Sequence, residues 1–584
     1  MSDTSDYERE RQATIARNRE LLAQLGLADA ASAIKPAKQS KSTAKPVQPR
    51  VKKPKEPPMP TRQSTRLKRA IVDPNESPAA KRRRERDEEN RRRQEEDERL
   101  EAAEREREAK RPRHHDLDLS TLTGEISPED LSELRATFQV VLKTPRPRGI
   151  SGDDAYVFEG DKQDKAEVHE LKEKLGKLKV VARAKVTQDR IYSAAYHPEP
   201  TKDLIFFGDK HGQLGIWDAR APVDEVADDD DEGPSAEDRE GGKYYRLQMH
   251  WPATSKSSIS SVKFDPIDSF SVYTSAYDCT VRTLSLASGI SSEIFATDDE
   301  LITSIDLPPH GHEMWISDAA GGLTHMDLRA GRAHAKRYEL SDQKIGSASV
   351  NPTRPYFLVT ASNSRELKVW DTRMLETLGA RSLRSAPNSV GSGSPRSPSK
   401  STPSKSKSDT PSVVLGAPNL VDKGAVDKLL ETKRGQTTMR ARWLHGKSVS
   451  SAYWDPRGRS IVSTSYDDTI RIWDMPPSWF DKDAPFPSSR PFSQIKHNCQ
   501  TGKWLTILKA QWTPNPDVYP HFTIGNMDHS LEIYSCKGDH IVKLADRTKI
   551  TAVQAVTCSH PSIVERVASG NASGRCVLWA PEDS

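Results

Sequence analysis

Residues 448–476 read SVSSAYWDPRGRSIVSTSYDDTIRIWDMP. In three runs, 449–454, 460–465 and 469–473, β-branched and aromatic residues alternate with polar ones, the period of a half-buried strand. Asp455-Pro456-Arg457-Gly458 has the chemistry of a tight turn, and Asp467-Asp468 makes a second turn with side chains that bond their own backbone. Three antiparallel strands cannot bury both faces by themselves, so the unit requires copies of itself to stack against.

The copies are present. Residues 191–220 end in GIWDAR, 258–289 in VRTLSLASG, 301–331 in THMDLRAG and 344–373 in KVWDTR; 504–539 carry SLEIYSCKGD and 550–583 CVLWAPED. With Trp-Asp closing the third strand in three of seven units, the chain resembles the WD-repeat β-propellers. That resemblance implies an all-β, seven-bladed fold, and it maps the family's buried tetrad onto His445, Ser465, Asp467 and Trp473. Residues 180–583, less two insertions, leave about 43 residues per unit, inside the propeller range. The last unit stops at its third strand, so residues 180–186 (VVARAKV), which precede the first unit, are expected to supply the fourth and close the ring.

Composition sets the remainder apart. With 34% hydrophobic and 29% charged residues over 584 positions, a compact part is expected beside a long basic N-terminal region that is mostly disordered or helical. The reading divides the chain into an amphipathic helix in 1–34, a basic disordered tail at 35–80 and a charged helical or disordered linker at 81–175. The propeller spans 176–584, with an acidic insertion at 221–256 and a Ser/Pro-rich one at 376–440. Five dispersed cysteines, without a CxxC pair, fit free or buried thiols in a reducing compartment. No apolar run reaches membrane length and MSDTSDYERERQ is no signal peptide, so an intracellular protein with no membrane partner is expected.

In residues 6–25, Ile15, Leu22 and Leu25 fall near one helical face. Residues 35–69 hold twelve Lys or Arg, including Lys52, Lys53, Arg62 and Arg66, against the single acid Glu56. Such a segment attracts polyanions, nucleic acid first among them; nuclear import or solubility are its other readings. Residues 81–115 interleave fourteen basic with twelve acidic side chains, as an exposed helix laced with i,i+4 pairs does, and open on an import-like KRRR that points to the nucleus. Ser127-Pro128-Glu129-Asp130 starts a helix reaching Leu142. Ser394, Ser397, Thr402 and Thr410 each precede proline and are candidate phosphorylation sites.

No nucleophile elbow, zinc-protease helix or phosphate-binding loop occurs, which argues against an enzyme, and no cofactor or metal site is expected. Asp228 to Asp231 read as a solvated loop, and His310 with His312 as an exposed turn. The connection into the sixth unit is different. QIKHNCQTGKWLTILKAQW packs Lys496, His497, Asn498, Gln500, Thr501, Lys503 and Trp504 into nine residues. These are cations for phosphate, amides and hydroxyls for hydrogen bonds, and an aromatic able to stack on a base. The alternative is a polar connector whose Trp504 is blade core. Asp-x-Arg follows the third strand at Asp218/Arg220, Asp327/Arg329 and Asp371/Arg373. It is either ordinary turn chemistry or, by its resemblance to the box of cullin ubiquitin-ligase adaptors, a docking site on the opposite rim.

KHNCQTGKWLTILKAQW, together with ARNRELLAQLGL at 16–27 and RQSTRLKRAI at 62–71, resembles the fungal DNA-damage-binding WD-repeat proteins. These are similar to mammalian WD-repeat protein 76 and, more distantly, to the small subunit of the ultraviolet-damaged-DNA-binding complex. The resemblance implies binding of single- and double-stranded DNA with preference for ultraviolet-damaged DNA, and a role in nuclear DNA metabolism or repair. Chromatin proteins or a cullin-ligase adaptor are further candidate partners.

Overall fold

The computed structural model describes residues 114–124, 127–143, 161–222, 241–378, 419–487 and 490–582. The helix expected in 6–25, the basic stretch with Lys52, Lys53, Arg62 and Arg66, the Asp228 to Asp231 run and the four Ser/Thr-Pro sites lie outside them.

Seven antiparallel sheets of four core strands form the blades. Blade 5, the unit that opened the sequence reading, consists of Val449–Trp454, Ser460–Ser465, Thr469–Asp474 and Ser493–Lys496. Its neighbours repeat the pattern, each first strand touching the next around a central channel, from Ile191–Tyr196 of blade 1 to Gln554–Ser559 of blade 7. The ring closes as expected: Lys179–Lys185 pairs antiparallel with Arg575–Ala580 as the outer strand of blade 7. Strand residues are buried on both faces because each blade is sandwiched between two others; Ser460–Ser465 is buried at every position.

Turn chemistry repeats with the strands. The turn between the second and third strands puts one residue in the left-handed region in every blade: Gly212, Cys279, Gly321, Arg365, Asp468, His529 and Gly574. Glycine takes this conformation freely, whereas the four other side chains pay about 1–2 kcal/mol each for it.

The tetrad requires two corrections: Trp473 packs edge-on against His445 but its buried Nε1 has no hydrogen-bond partner among the described residues, and the serine is a different one. His445 Nε2 meets Ser463 Oγ at 3.0 Å and its Nδ1 meets Asp467 Oδ2 at 3.2 Å. Ser465, assigned to the set from the sequence, instead donates to the carbonyls of Lys447 and Ser448. The cause is position along the strand: Ser463 lies beside His445 in the middle of the blade, while Ser465 lies at the turn, opposite Thr469. Blade 2 repeats the arrangement, with His250 between Thr274 and Asp278.

The boundaries also move. Residues 221–256 include Lys243–Gln248, the outer strand of blade 1. Residues 376–440 include Asn419–Val421, which runs parallel to the outer strand of blade 3, and the helix Lys423–Glu431. The span 81–175 contains elements that pack on the propeller. Leu117–Asp118 adds a fifth strand to blade 2. Helix α1 (Leu119–Thr123) and helix α2 (Pro128–Val141, capped by Ser127) bury Leu119, Leu122, Leu134, Phe138 and Val141 against Leu204, Phe206 and Trp251. Helix α3 (Asp161–Leu175) places Val168, Leu171 and Leu175 in the core of blades 6 and 7. Each such side chain contributes about 1.5–3 kcal/mol, enough to hold these segments to the ring.

Candidate nucleic-acid interface

Two kinds of connection share one face of the ring. The link from each blade's outer strand to the next blade's first strand lies beside the turn between second and third strands: His250 N donates to Gly212 O, Ser341 N to Gly321 O, His445 N to Arg365 O and His497 N to Asp468 O. The longest of these links that is described throughout is residues 497–510. Asp468, held left-handed at φ 59°, accepts from Cys499 N at 3.0 Å and from Gln500 Nε2 at 3.1 Å. Farther along, Arg190 Nη1 donates to Lys503 O at 3.2 Å and Thr506 Oγ1 donates to Ile191 O. The loop therefore leaves blade 5 and, before it enters blade 6, is pinned near its tip to the start of blade 1.

At that tip stands Trp504, 82% exposed, the most exposed large hydrophobic side chain among the described residues. The core reading of Trp504 fails because its side chain stands in solvent, and the residues of this loop that join the buried hydrophobic core are instead Leu508 and Ala510, each at most 1% exposed. Lys496 and Lys503 are exposed, and neither side chain has a partner among the described residues. Asn498 is exposed and accepts from Gln500 N at 3.1 Å, while the exposed Gln500 commits its amide to Asp468 and to Tyr466 O.

His497 and Thr501 do not join this surface. Both are buried, because the chain turns inward after the outer strand to meet Asp468. Burial holds the His497 imidazole below its usual range despite Glu532 nearby, leaving it neutral at pH 7. The neighbouring Cys499 thiol is pushed up to about 12 by burial and is unreactive. The other four cysteines are likewise buried.

Residues absent from the sequence-based set extend the surface. Between blades 4 and 5 lies a concavity of 480 Å³ lined by Asn363, Ser364, Arg365, Lys447, Ser448 and Tyr466. Gln500 joins it to the long loop through Tyr466 O. Arg365 and Lys447 are exposed, with side chains that have no partner among the described residues. Each is a lone cation in its own turn, so no local cluster marks it. Its place in the repeat is the available signal: Arg365 stands between second and third strands, and Lys447 after the fourth.

The Asp-x-Arg pairs lie on the opposite face, where Ala219 N meets Asp203 O and Thr372 N meets Tyr356 O. Asp218 pairs with Lys202, and Arg220 with Asp203 at 2.6 Å. Asp371 holds Arg373 through two bonds, and that guanidinium sits 4.1 Å from the Tyr356 ring centroid. Arg329 is 64% exposed and grips Asp327 with two bonds, holding its carboxyl down at about 2. Among the described residues no group of His, Cys, Asp or Glu is arranged to hold a metal ion, and no helix is long and apolar enough to cross a membrane.

The WD domain, G-beta repeat family model matches residues 440–474, the span holding the His445–Ser463–Asp467 set. Over its full length the chain is 35% identical to the DNA damage-binding protein CMR1 of Cryptococcus neoformans, covering 100% of each sequence. It is 32% identical to the protein of the same name from Mycosarcoma maydis, again over 100% of both, and 32% identical to that from Neurospora crassa over 98% of both. A seven-bladed WD-repeat ring, and relatives aligned along its whole length under one name, place this chain in the DNA damage-binding protein CMR1 family.

Proposed function

We propose that this protein is a non-catalytic, nuclear DNA-binding protein that takes single- and double-stranded DNA and prefers ultraviolet-damaged DNA. The observation that carries the reading is Trp504, presented to solvent on the ring and flanked by Lys503, which has no counter-ion among the described residues. A flat aromatic stacks on any exposed base, and lysine holds phosphate as a point charge. Lys496, Arg365 and Lys447 extend the phosphate contacts along the same face. In the tail, Lys52, Lys53, Arg62 and Arg66 supply long-range attraction. A lesion lowers the cost of unstacking its base, so a stacking residue prefers damaged DNA without reading sequence.

The test is binding of the intact chain to irradiated duplex, unirradiated duplex and single strand at one salt concentration. Tighter binding to irradiated duplex is expected, and equal affinities for the two duplexes overturn the damage preference. A second reading, a cullin ubiquitin-ligase adaptor, rests on Arg329, exposed on the opposite face. The internal pairing of all three arginines weighs against it, since Arg220, Arg329 and Arg373 each already have a carboxylate partner. Co-purification that survives Arg329→Ala would exclude that site from ligase docking.

A further inference from the structure

The first strands of the blades enclose a cavity of 290 Å³ in the central channel, near the lower end of ligand-binding size. Ser261, Ser304 and Ser559 line it, and none of their hydroxyls has a partner among the described residues. Lys509 projects from the end of the 497–510 loop into the same wall, half-buried, with neither a hydrogen bond nor an ion pair there.

The charges around Lys509 do not balance it. Lys263 is matched by Asp306 at 2.9 Å, and Lys344 donates to the Tyr277 hydroxyl at 3.0 Å. Burial, then repulsion from Lys344 and Lys263, pushes the Lys509 amine down to about 8, with no carboxylate among the causes. A half-buried ammonium that gives up part of its hydration without gaining an opposite charge is unfavourable, and an apolar residue would serve packing better. A phosphate group provides the missing charge and acceptors for the free hydroxyls.

We propose that the channel is a binding site for a small phosphate-bearing anion, held by Lys509 Nζ and by the hydroxyls of Ser261 and Ser304. This site is separate from the DNA-binding face and does not depend on it. It lies inside the ring, whereas Trp504 and Lys503 lie outside.

The experiment is calorimetric titration of the full chain with pyrophosphate at pH 7, compared with Lys509→Met and Ser304→Ala. Lysines of the basic tail bind the probe weakly and equally in all three proteins, so the difference isolates the channel. A saturable event weakened at least about tenfold in Lys509→Met, with binding to undamaged duplex unchanged, is expected. Ser304→Ala leaves all charges in place and is expected to weaken the same event; it tests the site even if Lys509→Met fails to fold. Identical titrations for wild type and both variants, or no saturable event in wild type, overturn the proposal. An oligonucleotide that displaces pyrophosphate only when it carries a 5′-phosphate identifies a strand end as the source of the anion; no displacement identifies a small molecule.

Discussion

Replacing Trp504 by alanine separates recognition from stability more sharply than any other single change on this surface. At 82% exposure, less than a fifth of a side chain of about 250 Å² touches the protein, so truncation removes roughly 45 Å² of contact. At about 25 cal/mol per Å² that amounts to about 1 kcal/mol, a melting shift of no more than about 2–4 °C in a domain this large. Stacking on an exposed base is worth about 1–3 kcal/mol, so affinity for irradiated DNA should fall about 5- to 150-fold. Affinity for undamaged duplex should fall less, because its bases are costly to expose. Fluorescence anisotropy with both duplexes, and thermal unfolding on the same sample, measure all three quantities. Trp473→Ala calibrates the opposite case: Trp473 is 2% exposed and stacked 4.8 Å from Trp443, and its loss should cost about 3–5 kcal/mol. A Trp504→Ala protein that melts as low as Trp473→Ala, or that keeps its damaged-to-undamaged ratio, refutes the stacking role.

Lys496→Ala and Lys503→Ala should each weaken irradiated and unirradiated duplex by the same factor, since phosphates carry no lesion signal; a selective loss on either substrate contradicts this assignment. Deleting residues 35–69 should flatten the salt dependence, which for six to ten phosphate contacts spans about 10³- to 10⁵-fold between 50 and 200 mM salt; an unchanged slope assigns the electrostatics to the ring. Acidic replacements at Ser394, Ser397, Thr402 and Thr410 should weaken binding at low salt by repelling the DNA backbone, and equal affinity makes the insertion a bystander. Stability should fall with acid: burial pushes His197, His445 and His521 down to about 4, whereas the unfolded chain titrates near 6.5. Between those values the unfolded state binds more protons, so a contribution of up to about 3 kcal/mol per histidine is complete above pH 6.5 and is lost towards pH 4. Urea midpoints at pH 7.5 and 5 measure it, and equal midpoints refute it.

The ring was legible because its units carry redundant signals. Alternation, Asp-rich turns and Trp-Asp recur every forty-odd residues, and one short strand ahead of the first unit matched the gap in the last. Ser465 was misassigned to the tetrad because serine or threonine occupies 463, 464 and 465 alike, and only the strand register shows which hydroxyl faces His445. The docking of these helices had no clear pattern to announce it: α1 is only five residues long, α2 opens on acids, and in α3 the anchors Val168, Leu171 and Leu175 are diluted among Glu and Lys, while what all three cover is set by tertiary structure. Within the 497–510 loop the sequence shows which residue types lie together, but not their orientation. His497 and Trp504 were equal candidates until the loop's anchorage to Asp468 and Ile191 turned one inward and the other out. Arg365, Lys447 and Lys509 had no local signature, because what distinguishes them is the absence of a partner among the described residues.

Ring closure also sets a timetable for biogenesis. Lys179 reaches Glu582 across 403 positions of sequence, so the strand made first in the propeller waits unpaired while the other blades emerge from the ribosome. Closing so long a loop costs entropy and slows the final step. Until then Lys179–Lys185 and the uncovered edge of blade 7 are templates for pairing with other chains. A nonsense mutation only a few codons before Arg575 would therefore disable the whole ring, leaving an open arc of otherwise complete blades as a substrate for chaperones and proteases.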